Sequence, residues 1–592
     1  MKTKFTAAAV LRVVLLPVLI LGAQISLANT NKIIKENLKP GTTDWQLTNP
    51  ADDRQIEGYA SLTSVPNHGF INLFVNTSDA TYTLAIYRMG WYGGTGGRQV
   101  LAPQTLTGIQ QPMPTPDPFG MYECQWTQPF RLQIPYSWVS GIYLVKLHGN
   151  TSGKESYIIF TVRDTRVAKI VFQQSVITYH AYNPWPGSCF FCPDGASLYN
   201  SYNGVQIPQV SFNRPYGGRA HSEFDTPAMF YSQVVNPNYG IGAGDFLRNA
   251  GPVAMEFGML RWLEHQGYDV TYITDVDTHE DVGRLLRAGG LLRSKAFLSV
   301  GHDEYWSEEM KSHVVQARDQ GVSLGFFGGN YMYWAVELFP DSTGKPNRTI
   351  ALVDPTKSCT FACMGEPEQS IVGGNWVGSV PTNGDIYVSA DTPLDHWAFA
   401  NTGLQVGDVI PGLIGIEYNG TFPDSPIPNG LQTLLHTQAP RFDNTVAGGF
   451  EIPDDFNMDF DGWYDSFVAD GRPLDTTCDT SPIPPLNITP PFDAGIQWCR
   501  NPWPVFPDVR IDWGMTIYQV SSGALVFNAA TNQWSWGLDD YFTGLVTADG
   551  ANNGPAFRIQ CGYPFFNPEL VSCRNPAIEQ ITRNVLNKFI HH

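Results

Sequence analysis

The stretch Leu298–Met310, LSVGHDEYWSEEM, decides how the chain is read. Leu298-Ser299-Val300 is a short apolar run of the kind that forms a buried strand. Ser307, followed by Glu308 and Glu309, opens a helix, because the serine hydroxyl can accept from a first-turn amide and the acids complement the helix dipole. Between the two stand His302, Asp303, Glu304, Tyr305 and Trp306. A hydrogen-bonded turn would explain the helix entry but not an imidazole and two carboxylates gathered at a strand end. Neither Ser nor Cys occupies the turn itself, so covalent acyl catalysis from it is disfavoured. Carboxylates and an imidazole suit metal coordination or proton transfer instead.

Outward from this point, apolar strands alternate with helical stretches. Ala168–Phe172, Asp269–Thr274, Ala296–Val300 and Val322–Phe327 read as strands. Val253–Gln266, Glu280–Leu292 and Ser307–Gln320 read as helices. This alternation predicts an α/β core, a parallel sheet with helices on both faces, over residues 166–592. In such sheets ligands bind beyond the carboxyl ends of the strands. Residues 341–512 are rich in Pro, Gly, Asn and Asp and are expected to be long loop insertions with strand-like islands such as Leu413–Tyr418. Residues 29–165 carry short runs of period two, such as Ile71–Val75 and Tyr157–Val162, separated by turn residues, and predict a β-sandwich. The chain has 592 residues, too many for one core, and 43% hydrophobic content argues against disorder.

The N-terminus is expected to be a signal peptide spanning 1–28. Lys2 and Lys4 precede an apolar run to Ala23, and Ser26-Leu27-Ala28 offers a cleavage site. Removal of Lys2, Lys4 and Arg12 lowers the formal charge of −19 by three, to −22. Such a surface does not attract nucleic acid or anionic lipid. No later stretch is apolar over a length that spans a bilayer. The expectation is a secreted or periplasmic protein without a membrane span in its mature form, free to form homo-oligomers. Nine cysteines in an exported chain favour the local pairs Cys189/Cys192, Cys359/Cys363, Cys478/Cys499 and Cys561/Cys573, with Cys124 left over. A zinc site from the first two pairs is the alternative.

Two further stretches concentrate polar aromatic residues. ITYHAYNPWPG, Ile177–Gly187, brings Tyr179, His180, Tyr182 and Trp185 together, and SFNRPYGG, Ser211–Gly218, adds Arg214 and Tyr216. Packing or sugar-stacking surfaces have the same composition. FFGGNYMYW, Phe326–Trp334, sends Asn330 toward the carboxyl edge of its strand.

Taken in order, YRMGWYGGTGGR, AYNPW, SFNRPY, YDVTYITDVDTH, GHDEYWSEEM and FFGGNYMYW resemble the signature runs of the N,N-dimethylformamidase large (beta) subunit family, across about residues 55–340. LIGIEYNG and VFNAATNQWSWGLDD extend the likeness. The resemblance implies a β-sandwich joined to a class I amidotransferase-like α/β domain. It also implies a mononuclear iron held by two tyrosines and one glutamate. Carried onto this chain these are Tyr182, Tyr216 and Glu304, with Tyr179 competing for the first tyrosine. His302, Asn330 and Glu417 match positions lining that pocket and serve as catalytic candidates. Phenolate and carboxylate oxygens are hard donors that suit ferric iron. The implied activity is hydrolysis of a non-peptide C–N amide bond in a small amide substrate. The signal peptide and extra cysteines point to an exported relative, and nothing in the chain resembles the family's small subunit. A carbohydrate-binding or cell-surface binding protein and a carboxylate-pair glycosidase using Glu304 with Asp303 or Glu417 are the competing functions. Adjacent Asp303 and Glu304 do not suit the glycosidase geometry.

Overall fold

The computed structural model describes residues 31–51, 53–187, 194–217, 241–247, 255–287, 289, 291–353, 360–440, 449–450, 498–499, 510–541 and 574–591. The expected signal peptide and at least one cysteine of every expected pair lie outside them. Cys124 is buried and free.

The strands of the first unit form because their side chains alternate. In Phe70–Thr77 every second residue is buried, beginning with Ile71. A three-stranded sheet has the order Ile56–Ala60, Phe70–Thr77, Phe130–Gln133. A five-stranded sheet has the order Ser64–Pro66, Glu155–Arg163, Gly141–Gly149, Thr81–Met89, Gly97–Thr107. The central strands of the larger sheet read as continuous apolar runs because both faces are covered. Leu84, Ile86, Val145, Ile158 and Phe160 face a core shared with Leu73 and Val75 of the smaller sheet. Tyr87, Leu144 and Ile159, of opposite parity, pack into the main core of the molecule. A buried ion pair ties the unit to the helix Met255–His265: Arg88 Nη2 lies 2.6 Å from Glu264 Oε1, and both side chains are fully buried.

The largest sheet has seven strands in the order Val270–Thr274, Ile170–Gln174, Ala296–His302, Ser323–Gly329, Leu525–Asn528, Arg510–Gln519, Gln432–Pro440. The first five run parallel. The last two are antiparallel additions. The class I amidotransferase-like α/β core expected from the sequence is not found. The described residues form eight sheets, most of them small and with mixed strand directions. Helices are few, and three reach eight residues among the described residues: Met255–His265, Glu308–Asp319 and Pro576–His591.

Two local features underlie this correction. The helix expected over Glu280–Leu292 is interrupted at Asp281, whose backbone is extended and whose side chain accepts from Gly283 N. There the chain forms a short helix Asp275–Glu280, a 3-10 turn Val282–Arg284 and a hairpin of Leu286–Arg287 with Leu291–Leu292. Gly289 in the hairpin loop has φ +79°, a conformation that glycine adopts without Cβ strain. The second feature is the region expected as loops, which contains long strands. Asn375–Tyr387 pairs with Val409–Gly420, with register shifts that break the period-two pattern in sequence. Gln432–Pro440 and Arg510–Gln519 complete the large sheet.

Around the opening stretch the sequence and the structure agree locally. Ala296–His302 is a buried central strand. Ser307 caps Glu308–Asp319, its hydroxyl accepting from Met310 N at 3.2 Å. His302 pairs with Gly329 and Ser299 with Gln173, so three central strands end at nearly the same level. Their outgoing loops start from one rim. No described helix is long and apolar enough to cross a membrane.

Candidate functional site

The strand Ala296–His302 turns at Gly301, where φ is +73° and an added Cβ would lie 2.7 Å from Met255 Cβ. That turn sets His302, Asp303 and Glu304 on different partners. Asp303 points into the protein, its Oδ2 accepting from Ser299 Oγ at 2.6 Å and Gln173 Nε2 at 2.7 Å. Burial pushes its carboxyl up to about 6. Asp303 therefore holds the turn. The neighbouring loop is latched to it through Thr178, whose hydroxyl accepts from the backbone amides of Glu304 (3.1 Å) and Tyr305 (3.3 Å).

The side chains of His302 and Glu304 face a shared space with Glu417. His302 Nε2 lies 3.1 Å from Glu304 Oε2 and 2.7 Å from Glu417 Oε2. The three groups can present one atom each within 4.8 Å of one another. Glu417 comes from the strand Val409–Gly420, which takes in the strand-like island Leu413–Tyr418 of the sequence. Its Oε1 accepts from Asn330 Nδ2 at 3.0 Å, and its Oε2 from Asn532 Nδ2 at 3.4 Å. Asn330 follows the strand Ser323–Gly329 with φ +52°, a conformation that asparagine tolerates better than most residues. Its amide donates to Asn419 Oδ1 at 2.6 Å.

On the other side of Glu304 runs a chain of phenols. Tyr305 donates to the Tyr199 hydroxyl, Tyr199 to the Tyr182 hydroxyl, and Tyr182 to Glu304 Oε2, each at 2.7 Å. Tyr182 sits at the end of the short helix Val176–Ala181 that leaves the strand Ile170–Gln174.

Electrostatics follow from enclosure. Burial alone would depress His302, but the carboxylates of Glu417 and Glu304 overcome it and hold the imidazole well above its ordinary value. Burial also opposes ionisation of Glu417, yet His302, Asn330 and Asn532 together keep it low, so the pair is an ion pair. Glu304 is pushed up, chiefly by burial and further by Glu417, despite the bonds from His302 and Tyr182. All three phenols are raised by burial and by the surrounding acids. An added cation at the Tyr182–Glu304 oxygens would reverse the last two effects. Asn330 Oδ1 and Asn532 Oδ1 are buried without a hydrogen-bond partner. A cluster of hard oxygen donors, more acids than bases, beside orphaned polar atoms suits a hard cation better than a soft one.

Of the residues singled out from sequence, Tyr182, His302, Glu304, Asn330 and Glu417 thus form one connected network. Tyr179 is elsewhere: its hydroxyl donates to Glu256 Oε2 at 2.5 Å. Tyr216 packs against His180, ring centres 4.4 Å apart, and against Tyr179 at 6.1 Å. No described hydrogen bond or ring contact joins it to Glu304 or Tyr182. Sequence reasoning did not single out Tyr199, Tyr305 or Asn532. Tyr305 stood next to Glu304 in the opening stretch, and Asn532 lies within VFNAATNQWSWGLDD. Tyr199, in a stretch of turns, carried no signal. Trp185 and Trp306 are buried, so they do not offer the exposed stacking surface that a sugar-binding reading needs.

A model of the family described as N,N-dimethylformamidase beta subunit-like, C-terminal, matches residues 83–551. The chain belongs to the N,N-dimethylformamidase beta subunit-like family. The match begins in the strand Thr81–Met89 and takes in every residue of the network. Among curated proteins no sequence matches the chain. Family membership makes a hydrolase of the dimethylformamidase type the reading to develop, and it places the chain beside proteins named as subunits.

Proposed function

We propose that this protein is an exported hydrolase of small, non-peptide carboxamides, with a mononuclear iron whose ligands include Tyr182 and Glu304. The observation that carries the reading is the convergence, at one end of three parallel strands, of Tyr182, Glu304, His302, Glu417 and Asn330. A ferric ion held by phenolate and carboxylate oxygens would polarise an amide carbonyl and lower the pKa of a bound water.

The remaining work falls to side chains of this chain. Glu417, kept ionised by His302, accepts a proton from the attacking water. His302, kept charged by Glu417, donates its proton to the amide nitrogen as the C–N bond breaks, since an amine leaves only when protonated. The 2.7 Å contact between the two lets the proton return from Glu417 to His302, which resets the pair. Asn330 fixes Glu417 through one N–H and has a second for the oxygen that gains charge in the transition state. Burial of the pair excludes bulk water, which strengthens each of these interactions.

The second phenol is the open element of the ligand set. The resemblance assigns Tyr216, whereas Tyr199 is the phenol whose hydroxyl lies 2.7 Å from that of Tyr182. Comparing the visible phenolate band of Tyr199→Phe and Tyr216→Phe identifies it, because loss of a ligand phenolate shifts the band and loss of a neighbour does not. The activity itself is tested with purified protein and N,N-dimethylformamide or a related formamide, by measuring amine release. Turnover in the iron-loaded protein and its loss in Glu417→Gln would support the reading. A folded, iron-loaded protein inert toward all small amides, alone and with a small helical partner subunit, would overturn it.

A further inference from the structure

Between the five-stranded sheet and the network lies a second, partly open space, lined also by Tyr216. It leaves about 20 Å³ for the centres of water-sized bodies, room for one or two of them. One wall is the strand Ile56–Ala60 with Leu62, and the other carries Gln174, His180, Arg214 and Arg348.

The charge around this space is one-sided. Arg214 is 1% exposed and Arg348 3% exposed. Arg214 donates to the carbonyls of Ser211, Trp185, Ala196 and His180, and to no carboxylate among the described residues. Arg348 donates to Asn213 Oδ1 and to the Ala60 carbonyl. Neither guanidinium forms an ion pair among the described residues. Lys345, three residues before Arg348, donates to the Ser61 carbonyl. Tyr216 and Tyr59 act on Arg348 ahead of any carboxylate, and the first carboxylate acting on both Arg348 and Lys345 is Asp341. Its oxygens are already held by Asn213 Nδ2, by the amides of Thr343 and Lys345 and by the Thr343 hydroxyl. Burial lowers both arginines, to about 9 and about 10, as it does for buried cations that no paired anion compensates.

Two buried polar nitrogens on the same wall have no partner. Gln174 Nε2 and His180 Nδ1 are orphaned, although Gln174 is fully buried and His180 is 3% exposed. Buried polar atoms in folded proteins are almost always satisfied, and buried charges are almost always paired. Buried cations, an unused amide N–H and a neutral imidazole nitrogen that donates in its Nδ1–H tautomer, around a space of this size, call for one small, negatively charged occupant.

We propose that the cavity bordered by Gln174, His180, Arg214 and Arg348 binds a small monovalent anion, a halide or a carboxylate of the size of formate. The anion accepts from Gln174 Nε2 and His180 Nδ1 and neutralises the arginine pair. It sits where the first unit meets the strand Ile170–Gln174, so occupancy clamps that junction. His180 is two residues from Tyr182 in the chain, which places the anion behind the network rather than in it. The proposal is independent of the hydrolase reading, because its readout is stability.

The test uses the full chain in buffer whose only anion is a bulky organic one, with chloride, formate or sulfate added at constant ionic strength. The urea midpoint is expected to rise saturably with chloride or with formate and not with sulfate, which exceeds the space. Which of the two saturates at lower concentration identifies the occupant. Gln174→Leu, which keeps every charge, should weaken the apparent affinity about tenfold, the loss of one hydrogen bond to a charged group. Arg348→Met should abolish saturation. A midpoint that tracks ionic strength alone, or an unchanged saturation curve in Gln174→Leu, would overturn the proposal even if Arg348→Met does not fold.

Discussion

Glu256→Gln offers a prediction whose size can be worked from the structure. Glu256 lies in the first described turn of the helix Met255–His265 and is 4% exposed. It meets the Tyr179 hydroxyl at 2.5 Å and the Ser175 amide at 3.2 Å. Burial dominates these bonds and lifts its carboxyl from an ordinary value near 4.5 to about 8. The folded protein therefore holds a proton that the unfolded chain has already released. Hence the stabilising effect of the neutral acid is complete below about pH 4 and is lost as pH rises through 8. At about 1.4 kcal/mol per pH unit, the shift corresponds to at most about 5 kcal/mol. Glutamine keeps the shape and cannot ionise, so the variant should match the wild type near pH 5 and surpass it by about 3–5 kcal/mol near pH 9. Urea unfolding of both proteins across this range, read as the difference between their pH profiles, measures it. Parallel profiles would show that Glu256 is ionised inside the fold and would refute the reasoning.

Arg88→Met should destabilise the protein by about 3–5 kcal/mol, because it strands the buried Glu264 carboxylate. Adding Glu264→Leu should recover most of that loss in the same unfolding assay, and a double variant as weak as the single one would contradict it. Gly301→Ala should disrupt the turn that places His302 and Glu304, through its φ of +73° and the 2.7 Å approach to Met255. Its cost should be about 1–3 kcal/mol, accompanied by loss of iron binding, and a fully loaded Ala variant would speak against the turn's role. Glu417→Gln should retain iron but lower kcat by about 10²–10⁴-fold, the usual contribution of a positioned base, and an unimpaired variant would remove Glu417 from the mechanism.

The parts of this molecule that were legible in sequence are those governed by local rules. Alternation in Ile71–Val75 reports a half-covered strand, and Ser307 with the two acids after it reports a helix start. The apolar run before Gly301 reports a buried strand wherever it lies. The arrangement of such pieces is not local. Helix-like stretches between parallel strands suggested a doubly wound core, yet Asp281 and Gly289 turn one of them into a 3-10 turn and a hairpin. Glycine and proline in residues 341–512 read as loop, but strands with shifted register tolerate them at the irregular positions. The network was partly visible because His302 and Glu304 share one turn and Tyr182 leaves the neighbouring strand. Tyr199 and Asn532 reach it only through tertiary folding, which no spacing in the chain encodes. Tyr216 shows the converse, a motif-borne expectation whose side chain the fold sets against His180.

The central claim is that the oxygens of Tyr182 and Glu304, 2.7 Å apart, take part in binding a metal. Metal analysis combined with the visible spectrum, on the wild type and on Tyr182→Phe and Glu304→Gln, tests it most directly. The account predicts about one iron per chain with a phenolate-to-iron band in the wild type, and loss of metal and colour in both variants. A folded wild type free of iron after growth in iron-rich medium, or variants that keep both metal and band, would contradict it.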